Sequence, residues 1–400
     1  MKSLRLSLLA VAVAVTGTVR SETVTETLKN SGFSLNLRTR YEGVEQDGLL
    51  DASALTARTR IGFTPSIAES WSAFIEGENI VAIDSHSYNQ AGLNSGLAGR
   101  AVAADPETTE LNQLWVAYEA NGTKAIVGRQ RLVVDNVRFI GDVGWRQNNQ
   151  TFDAVTLRNE SLEGTTLTYF YLDRINRVLG REHAQGRWDS NSHGINASTK
   201  RLPGGTITGY GYLLEFGNAA ANSSATYGAS WAGAQAIDDG LKLIYRAEMA
   251  QQTDYGNSPL NYTNWYSLGE VGFAGAPGRL AAGIERLGSN NGVGFKTPLA
   301  TLHAFNGWAD GFLATPGAGL QDKYVKVKTT LPGAINAMVV WHQFETDRGS
   351  KDLGSELDLV FSRKLTKAVT LTGKFADFDA ASASGKVDVR KIWIQGDFSW

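Results

Sequence analysis

Arg38 and Arg40, Arg58 and Arg60, Glu76 and Glu78, Arg246 and Glu248, Lys326 and Lys328, and Glu356 and Asp358 each stand two residues apart. In an extended strand that spacing puts both members of a pair on one face. Ionisable groups projecting into a water-filled passage set up a local field and sort solutes by charge and size. On a soluble sheet the same residues would make a solvated face, with ion pairs worth about 0–1 kcal/mol each. Catalysis finds little foothold. The five histidines, His86, His183, His193, His303 and His342, show no partner pattern for a nucleophile and its base. The nucleophile-elbow lookalike Gly228-Ala229-Ser230-Trp231-Ala232 lacks the final glycine and falls in an alternating stretch. No HExxH, cysteine cluster or phosphate loop occurs, so no cofactor and no bound metal is expected. Asp238-Asp239-Gly240 reads as a turn rather than a calcium loop.

The elements that would carry these charges have period two. In Gly32 to Gly43, Phe33, Leu35, Leu37 and Tyr41 face one way and Asn36, Arg38, Arg40 and Glu42 the other. Ala52 to Phe63 sets Leu55, Ala57, Ile61 and Phe63 against Thr56, Arg58 and Arg60. A soluble sandwich turns its apolar face inward, and here the opposite face carries too many arginines for an ordinary solvated surface. Further strands are expected near 70–81, 109–119, 123–131, 151–158, 164–173, 189–200, 205–215, 222–233, 240–251, 261–273, 278–288, 322–330, 333–344, 353–363, 368–378 and 386–400. That makes about eighteen, with sixteen the alternative.

Every second connection is short and rich in turn formers: Thr64-Pro65-Ser66, Ala120-Asn121-Gly122, Glu160 to Glu163, Leu202-Pro203-Gly204, Ala236 to Asp239, Gly275-Ala276-Pro277-Gly278, Leu331-Pro332 and Leu365-Thr366-Lys367. The long connections, Ile83 to Thr108, Leu132 to Gln150, Asn176 to Trp188 and Ser289 to Gln321, all fall at the other end. Short turns at one end and long loops at the other predict an all-β fold, a transmembrane antiparallel barrel in the outer membrane of a Gram-negative bacterium. Aromatic residues fit interfacial girdles: Phe63, Trp71, Tyr118, Phe361, Phe398 and Trp400 near periplasmic ends, Tyr41 and Phe375 near outer ends. In the last strand Ile392, Ile394, Gly396, Phe398 and Trp400 are read as the lipid face, with Asp388, Arg390, Gln395, Asp397 and Ser399 opposite.

With 38 Lys+Arg against 40 Asp+Glu the net charge is −2, which excludes bulk nucleic-acid binding through a basic surface. Mean hydropathy is −0.21, a value that alternating strands produce by averaging their two faces. Lys2 and Arg5 precede the apolar run Leu6 to Val15, too short to cross a bilayer as a helix and in the pattern of a secretory signal. The expected organisation is a signal at 1–22, with cleavage anywhere between Thr16 and Thr25, followed by one barrel domain at 23–400. There is no cysteine and hence no disulfide.

Strand parity assigns Arg38, Arg40, Arg58, Arg60, Arg158, Arg246, Lys326, Lys328, Lys374 and Arg390 to the lumen, together with Glu76, Glu78, Glu248, Glu270, Glu356 and Asp358. Arg129 joins them if Ile126 and Gly128 face outward. A charge on the lipid face costs about 2–4 kcal/mol near the midplane, which drives the assignment. A barrel of sixteen to eighteen strands leaves an aqueous channel unless loops narrow it. Arg131 to Gln150 is the expected constriction, with Arg131, Asp135, Arg138, Asp142 and Arg146 projecting into the passage.

Gly128 to Ala154, GRQRLVVDNVRFIGDVGWRQNNQTFDA, resembles the signature region of the alginate export family of outer-membrane proteins, and Phe295 to Asp322, FKTPLATLHAFNGWADGFLATPGAGLQD, resembles a second region of that family. The resemblance implies an eighteen-stranded channel with a highly basic pore for an anionic polysaccharide, and pore or constriction roles for Arg129, Arg131, Asp135, Arg138 and Arg146. The lining read here mixes acids with bases. The expectation is therefore a passive channel for small hydrophilic solutes, anions included, with export of an alginate-like polymer as the alternative and a surface enzyme or adhesion barrel as a third. The partners expected are outer-membrane lipid, small solutes or acidic oligosaccharides, and the barrel assembly machinery, because the final strand with Phe398 and Trp400 resembles the C-terminal signal that this machinery recognises in bacterial outer-membrane proteins.

Overall fold

The computed structural model describes residues 31–400 apart from Ala383. The expected signal at 1–22 lies outside the described residues. Eighteen strands form one antiparallel sheet. They are β1 (Gly32–Gln46), β2 (Ala52–Thr64), β3 (Trp71–Ala82), β4 (Thr108–Ala120), β5 (Thr123–Gln130), β6 (Thr151–Asn159), β7 (Thr165–Asn176), β8 (Arg187–Thr199) and β9 (Thr206–Leu214) in the first half. The second half holds β10 (Ser224–Ala236), β11 (Leu241–Asp254), β12 (Thr263–Gly275), β13 (Gly278–Leu287), β14 (Leu320–Leu331), β15 (Ile335–Glu345), β16 (Asp352–Lys364), β17 (Val369–Ala380) and β18 (Val389–Ser399).

Each strand pairs with its neighbours in sequence, and β1 closes on β18 with Arg38 opposite Asp397 and Tyr41 opposite Ile394. Closure leaves no edge, so every strand finds hydrogen-bond partners on both sides and no open row of amides meets hydrocarbon.

The burial pattern is that of a soluble protein turned inside out. Along β2, Ala52, Ala54, Thr56, Arg58 and Arg60 are buried, whereas Ile61 is exposed. On β11 Glu248, Ala250 and Gln252 point in and Met249 points out. The sequence rule is the same in each case: polar residues at alternate positions face the lumen, and apolar ones cover the outer wall. Aromatic pairs sit where strands meet the short turns, with Trp71 against Tyr118 at 4.9 Å and Trp231 against Tyr245 at 4.7 Å between ring centroids.

The β4–β5 turn has both central residues in the left-handed region, Asn121 at φ 51° and Gly122 at φ 71°. That geometry matches the twist of a two-residue hairpin and explains the Asn-Gly pair. All eight short turns lie at this end. The long loops 83–107, 131–150 and 288–319 lie at the other, and a small hairpin, Ser289–Asn290 with Val293–Gly294, opens the last of them.

Candidate functional site

Two of the long loops turn into the barrel and bind each other. Ile140 and Leu299 form a parallel bridge, Gly141 N donates to Leu299 O at 2.9 Å, and Thr301 N donates to Val137 O at 3.1 Å. The Gln150 amide ties the two loops again, donating to Gly141 O at 2.8 Å and Leu299 O at 3.2 Å. Gly141 is required by this approach, because a Cβ there would lie 2.3 Å from Thr301 Oγ1. Apolar residues supply the driving force: Phe139, Phe295 and Leu299 pack with wall residues Tyr210, Tyr212 and Tyr266. Phe139 lies 5.1 Å from the Tyr210 ring and 5.5 Å from that of Tyr266. Burying a side chain of this size contributes about 2–3 kcal/mol. Against this, Asp135, Val137 and Val143 hold φ of 50°, 61° and 50°. For a β-branched valine the left-handed region is a true outlier, and such residues cost of order 1–3 kcal/mol each. The loop is thus held in place by its contacts.

The first half of the wall grips this loop through arginines. Arg38 Nη1 donates to the carbonyls of Gly144, Trp145 and Arg146 at 3.2, 3.2 and 3.3 Å, and its Nε pairs with Asp397 at 2.7 Å. Arg40 is fully buried, bonded to Trp145 O, to Gln395 and to Asp105 at 3.1 Å. Arg58 and Arg60 both donate to Gln147 O, at 3.1 and 3.2 Å, and Arg60 also pairs with Glu78. Loop 83–107 enters here through Asp105, whose Oδ1 accepts from Gln147 N at 2.8 Å. Burial alone would raise the Asp105 carboxyl, but Arg40 and Arg146 outweigh it and hold it below the usual carboxylate range.

A second node joins both loops to the wall near the closing seam. Asp310 accepts from His303 Nδ1 at 2.7 Å, Arg146 Nη2 at 3.0 Å and Lys391 Nζ at 2.8 Å. Arg146 also binds Glu42 at 2.9 Å. With Nδ1 facing Asp310 and Nε2 facing Lys374 Nζ at 2.5 Å, His303 fits the neutral tautomer that donates from Nδ1 and accepts at Nε2. Burial, helped by the Lys374 ammonium, pushes its value down to about 3. Asp310 is held well below the carboxylate range because Lys391, His303 and Arg146 outweigh its burial. Trp145 stacks on His303 with centroids 4.8 Å apart, and Lys374 lies 3.5 Å from the Trp308 ring. On the far side of the loops Arg138 bonds Glu285 at 2.8 Å and Asn306 at 3.0 Å, and the amides of Trp308 and Ala309 bond Asp358 and Glu356. Among the described residues no group of three or more His, Cys, Asp or Glu is arranged to hold a metal.

Most residues selected by parity lie on the buried face of their strands. Arg38, Arg40, Arg58, Arg60, Glu78, Glu248, Glu356, Asp358 and Lys374 meet the inward loops or one another. Glu76 accepts from Asn112 and Gln113, Glu270 from Lys326 and Tyr324, and Arg246 bridges Asp135 and Glu248. Arg158, paired with Glu160, and Lys328 lie on the inner face but stand exposed toward the short-turn end.

Two assignments are corrected. Val127 is exposed and Gln130 buried, so Arg129 faces outward, where it makes a bidentate pair with Asp153 at 2.6 and 3.1 Å. Arg390 shares the face of the exposed Ile392 and Ile394 and pairs with Asp377 at 3.1 Å, while Lys391 and Trp393 occupy the lumen side. Both arginines sit near the long-loop ends of their strands, where an outward charge with a partner avoids the hydrocarbon penalty.

Within the loop, Arg138, Asp142 and Arg146 are buried, whereas Arg131 and Asp135 are more open and pair with Asp142 and Arg246. The sequence reading placed Glu42 on the polar face of its strand without giving it a role, and missed Asp105, Glu285, His303, Asn306, Asp310, Asp322 and Lys391. Four of them, His303, Asn306, Asp310 and Asp322, lie in Phe295 to Asp322, the stretch singled out by resemblance alone.

Comparison with known proteins agrees with this geometry. OpdK of Pseudomonas aeruginosa, solved with vanillate, superposes with a TM-score of 0.72 at 14% identity, covering 93% of this chain and 99% of that one. OpdL of the same organism gives 0.68 at 15% identity, and OccAB3 of Acinetobacter baumannii 0.70 at 11%, each with 93% and 99% coverage. At such identities the likeness is one of fold. No curated protein matches the chain. A family model described as alginate export matches residues 29–255, more than half of the chain. This outer-membrane β-barrel belongs to the alginate export family.

Proposed function

We propose that the barrel is a passive channel for small hydrophilic solutes, anions included, and that loops 131–150 and 288–319 set its constriction. One observation carries the reading: both loops fold into the lumen and are fixed there by buried ion pairs to opposite loops and wall strands, Arg138 to Glu285 and Arg146 to Glu42 and Asp310. A barrel of this strand number without such loops leaves a wide aqueous bore. The remaining charges of the inner wall, Arg246 with Glu248 and Lys326 with Glu270, supply a mixed field along the passage. A barrel of the same fold, OpdK, was solved with vanillate, a small carboxylate, in line with solutes of that size. The final strand, ending in Phe398 and Trp400, is the segment we assign to recognition by the assembly machinery.

The family match favours a second reading, export of an alginate-like polyanion. Planar-bilayer recording across a salt gradient separates the two. A diffusion channel gives steady conductance with modest ion preference; strong anion selectivity blocked by uronate oligomers indicates the exporter; absence of conductance overturns both.

A further inference from the structure

The outer wall carries one row of charges that alternate in sign. Arg129 on β5 stands opposite Asp153 on β6, Asp153 opposite Arg174 on β7, and Arg174 opposite Asp189 on β8. All four face away from the lumen: Phe152 and Ala154 on either side of Asp153 are buried, and so is Trp188 beside Asp189. Only the first pair is tight, at 2.6 and 3.1 Å. Arg174 lies 3.7 Å from Asp153 and 3.8 Å from Asp189, too far for a hydrogen bond to either. The Arg174 and Asp189 side chains, 40% and 72% exposed, make no hydrogen bond among the described residues. The bulge between Leu172 and Arg174 adds Asp173 beside them. Below the row the same wall presents Val127, Leu157, Tyr169 and Ile195, and with them His193, whose Nδ1 meets Tyr169 Oη at 2.8 Å. An imidazole halfway along a strand of a lipid-facing wall is costly, which makes lipid a poor cover for this sector.

We propose that the outer face of β5 to β8 is the contact between two copies of this chain, related by a two-fold axis that runs parallel to the barrel axis and passes between β6 and β7. Both copies insert in the same sense, so a two-fold along the membrane normal is the one available, and it makes the same patch meet itself. Across that axis the row faces its own reverse. Arg174 of each copy meets Asp153 of the other, and Arg129 meets Asp189, so every contact joins opposite signs. Arg174 thereby gains the carboxylate oxygens it lacks within its own chain, and Asp189 gains a guanidinium. Two apolar walls gain little by exchanging lipid for each other, so polar contacts select the partner. The phosphates of a lipid headgroup layer are the poorer match, because Asp153, Asp173 and Asp189 outnumber Arg129 and Arg174 and repel an anion. The proposal is independent of what the barrel conducts.

The chain has no cysteine, so a single introduced thiol reports without background. Tyr171→Cys puts a thiol on β7 beside the axis, and Val339→Cys puts one on the outward face of β15, across the barrel. In isolated outer membranes a short bis-maleimide converts Tyr171→Cys to a dimer-sized band and leaves Val339→Cys monomeric. Arg174→Asp or Asp153→Arg, each added to Tyr171→Cys, sets like charges across the axis and abolishes the dimer band. Co-expression of these two reversed chains with distinguishable tags restores it, because each supplies the sign that the other needs. Heat-modifiable gel mobility checks that every variant forms its barrel; should a reversal fail that check, Arg174→Gln takes its place, with a weakened dimer band expected. A monomeric Tyr171→Cys, or a dimer band that no charge change weakens, overturns the proposal. So does a monomer that retains lipopolysaccharide and loses it on Arg174→Asp, which assigns the patch to lipid phosphate instead.

Discussion

Asp310 accepts hydrogen bonds from His303, Arg146 and Lys391, which come from its own loop, the facing loop and the last strand. Asp310→Ala leaves two buried cations without their shared counter-charge, a loss of the class that costs about 3–5 kcal/mol. The expected outcome is a barrel that still forms but shows increased open-channel noise and a shift toward anion preference, read in single-channel records. The pH dependence has a definite sign. The docked His303 has a value of about 3 against an ordinary 6.5, and Asp310 is also depressed. The released loop therefore binds more protons than the docked one in mild acid, so docking is fully stable above about pH 6.5 and weakens as pH falls toward 3. Channel noise measured from pH 7 to pH 4 should rise, and His303→Gln should remove the imidazole's part of that rise. Arg131 and Arg138 should behave differently. Arg131→Gln changes an open side chain and shifts the reversal potential slightly in a salt gradient. Arg138→Gln strands the buried Glu285 and loosens the loop, so its main effect is noise rather than selectivity.

At the scale of elements, the strands were legible because two physical rules coincide along them. Alternation puts polar residues on one face, and hydrocarbon penalises any charge on the other, so Arg58, Arg60, Glu248 and Asp358 could be oriented from the sequence. The rule fails where the second condition lapses. Arg129 is the penultimate residue of an eight-residue strand and Arg390 the second residue of the last one, both near the long-loop end, and each faces out with an acidic partner. Loops carry no period, and the bridge between Ile140 and Leu299 joins segments far apart in sequence, so the mutual packing of 131–150 and 288–319 left no local signal. The charges of 131–150 marked it as the expected constriction, whereas the residue content of 288–319 was visible only as a stretch of family resemblance. The apolar anchor is testable: Phe139→Ala should cost docking about 3–5 kcal/mol by cavity formation and make the loop cleavable by added protease in the folded barrel. A protease-resistant loop in that variant would show that the ion pairs alone hold it.

For the whole molecule, the closed sheet and the inward loops do separate work. Pairing of β1 with β18 satisfies the backbone in hydrocarbon and makes a wide tube. In the proposed channel the loops set what that tube passes. Excising residues 134–148 and joining the ends through a short Gly-Ser bridge removes the segment gripped by Arg38, Arg40, Arg58 and Arg60 while leaving every strand intact. Single-channel conductance of this variant against the parent, in the same salt and with matched heat-modifiable mobility, tests the account most directly. A loop that forms the constriction predicts a conductance several times larger and a loss of ion preference; equal conductance in a folded variant would contradict it.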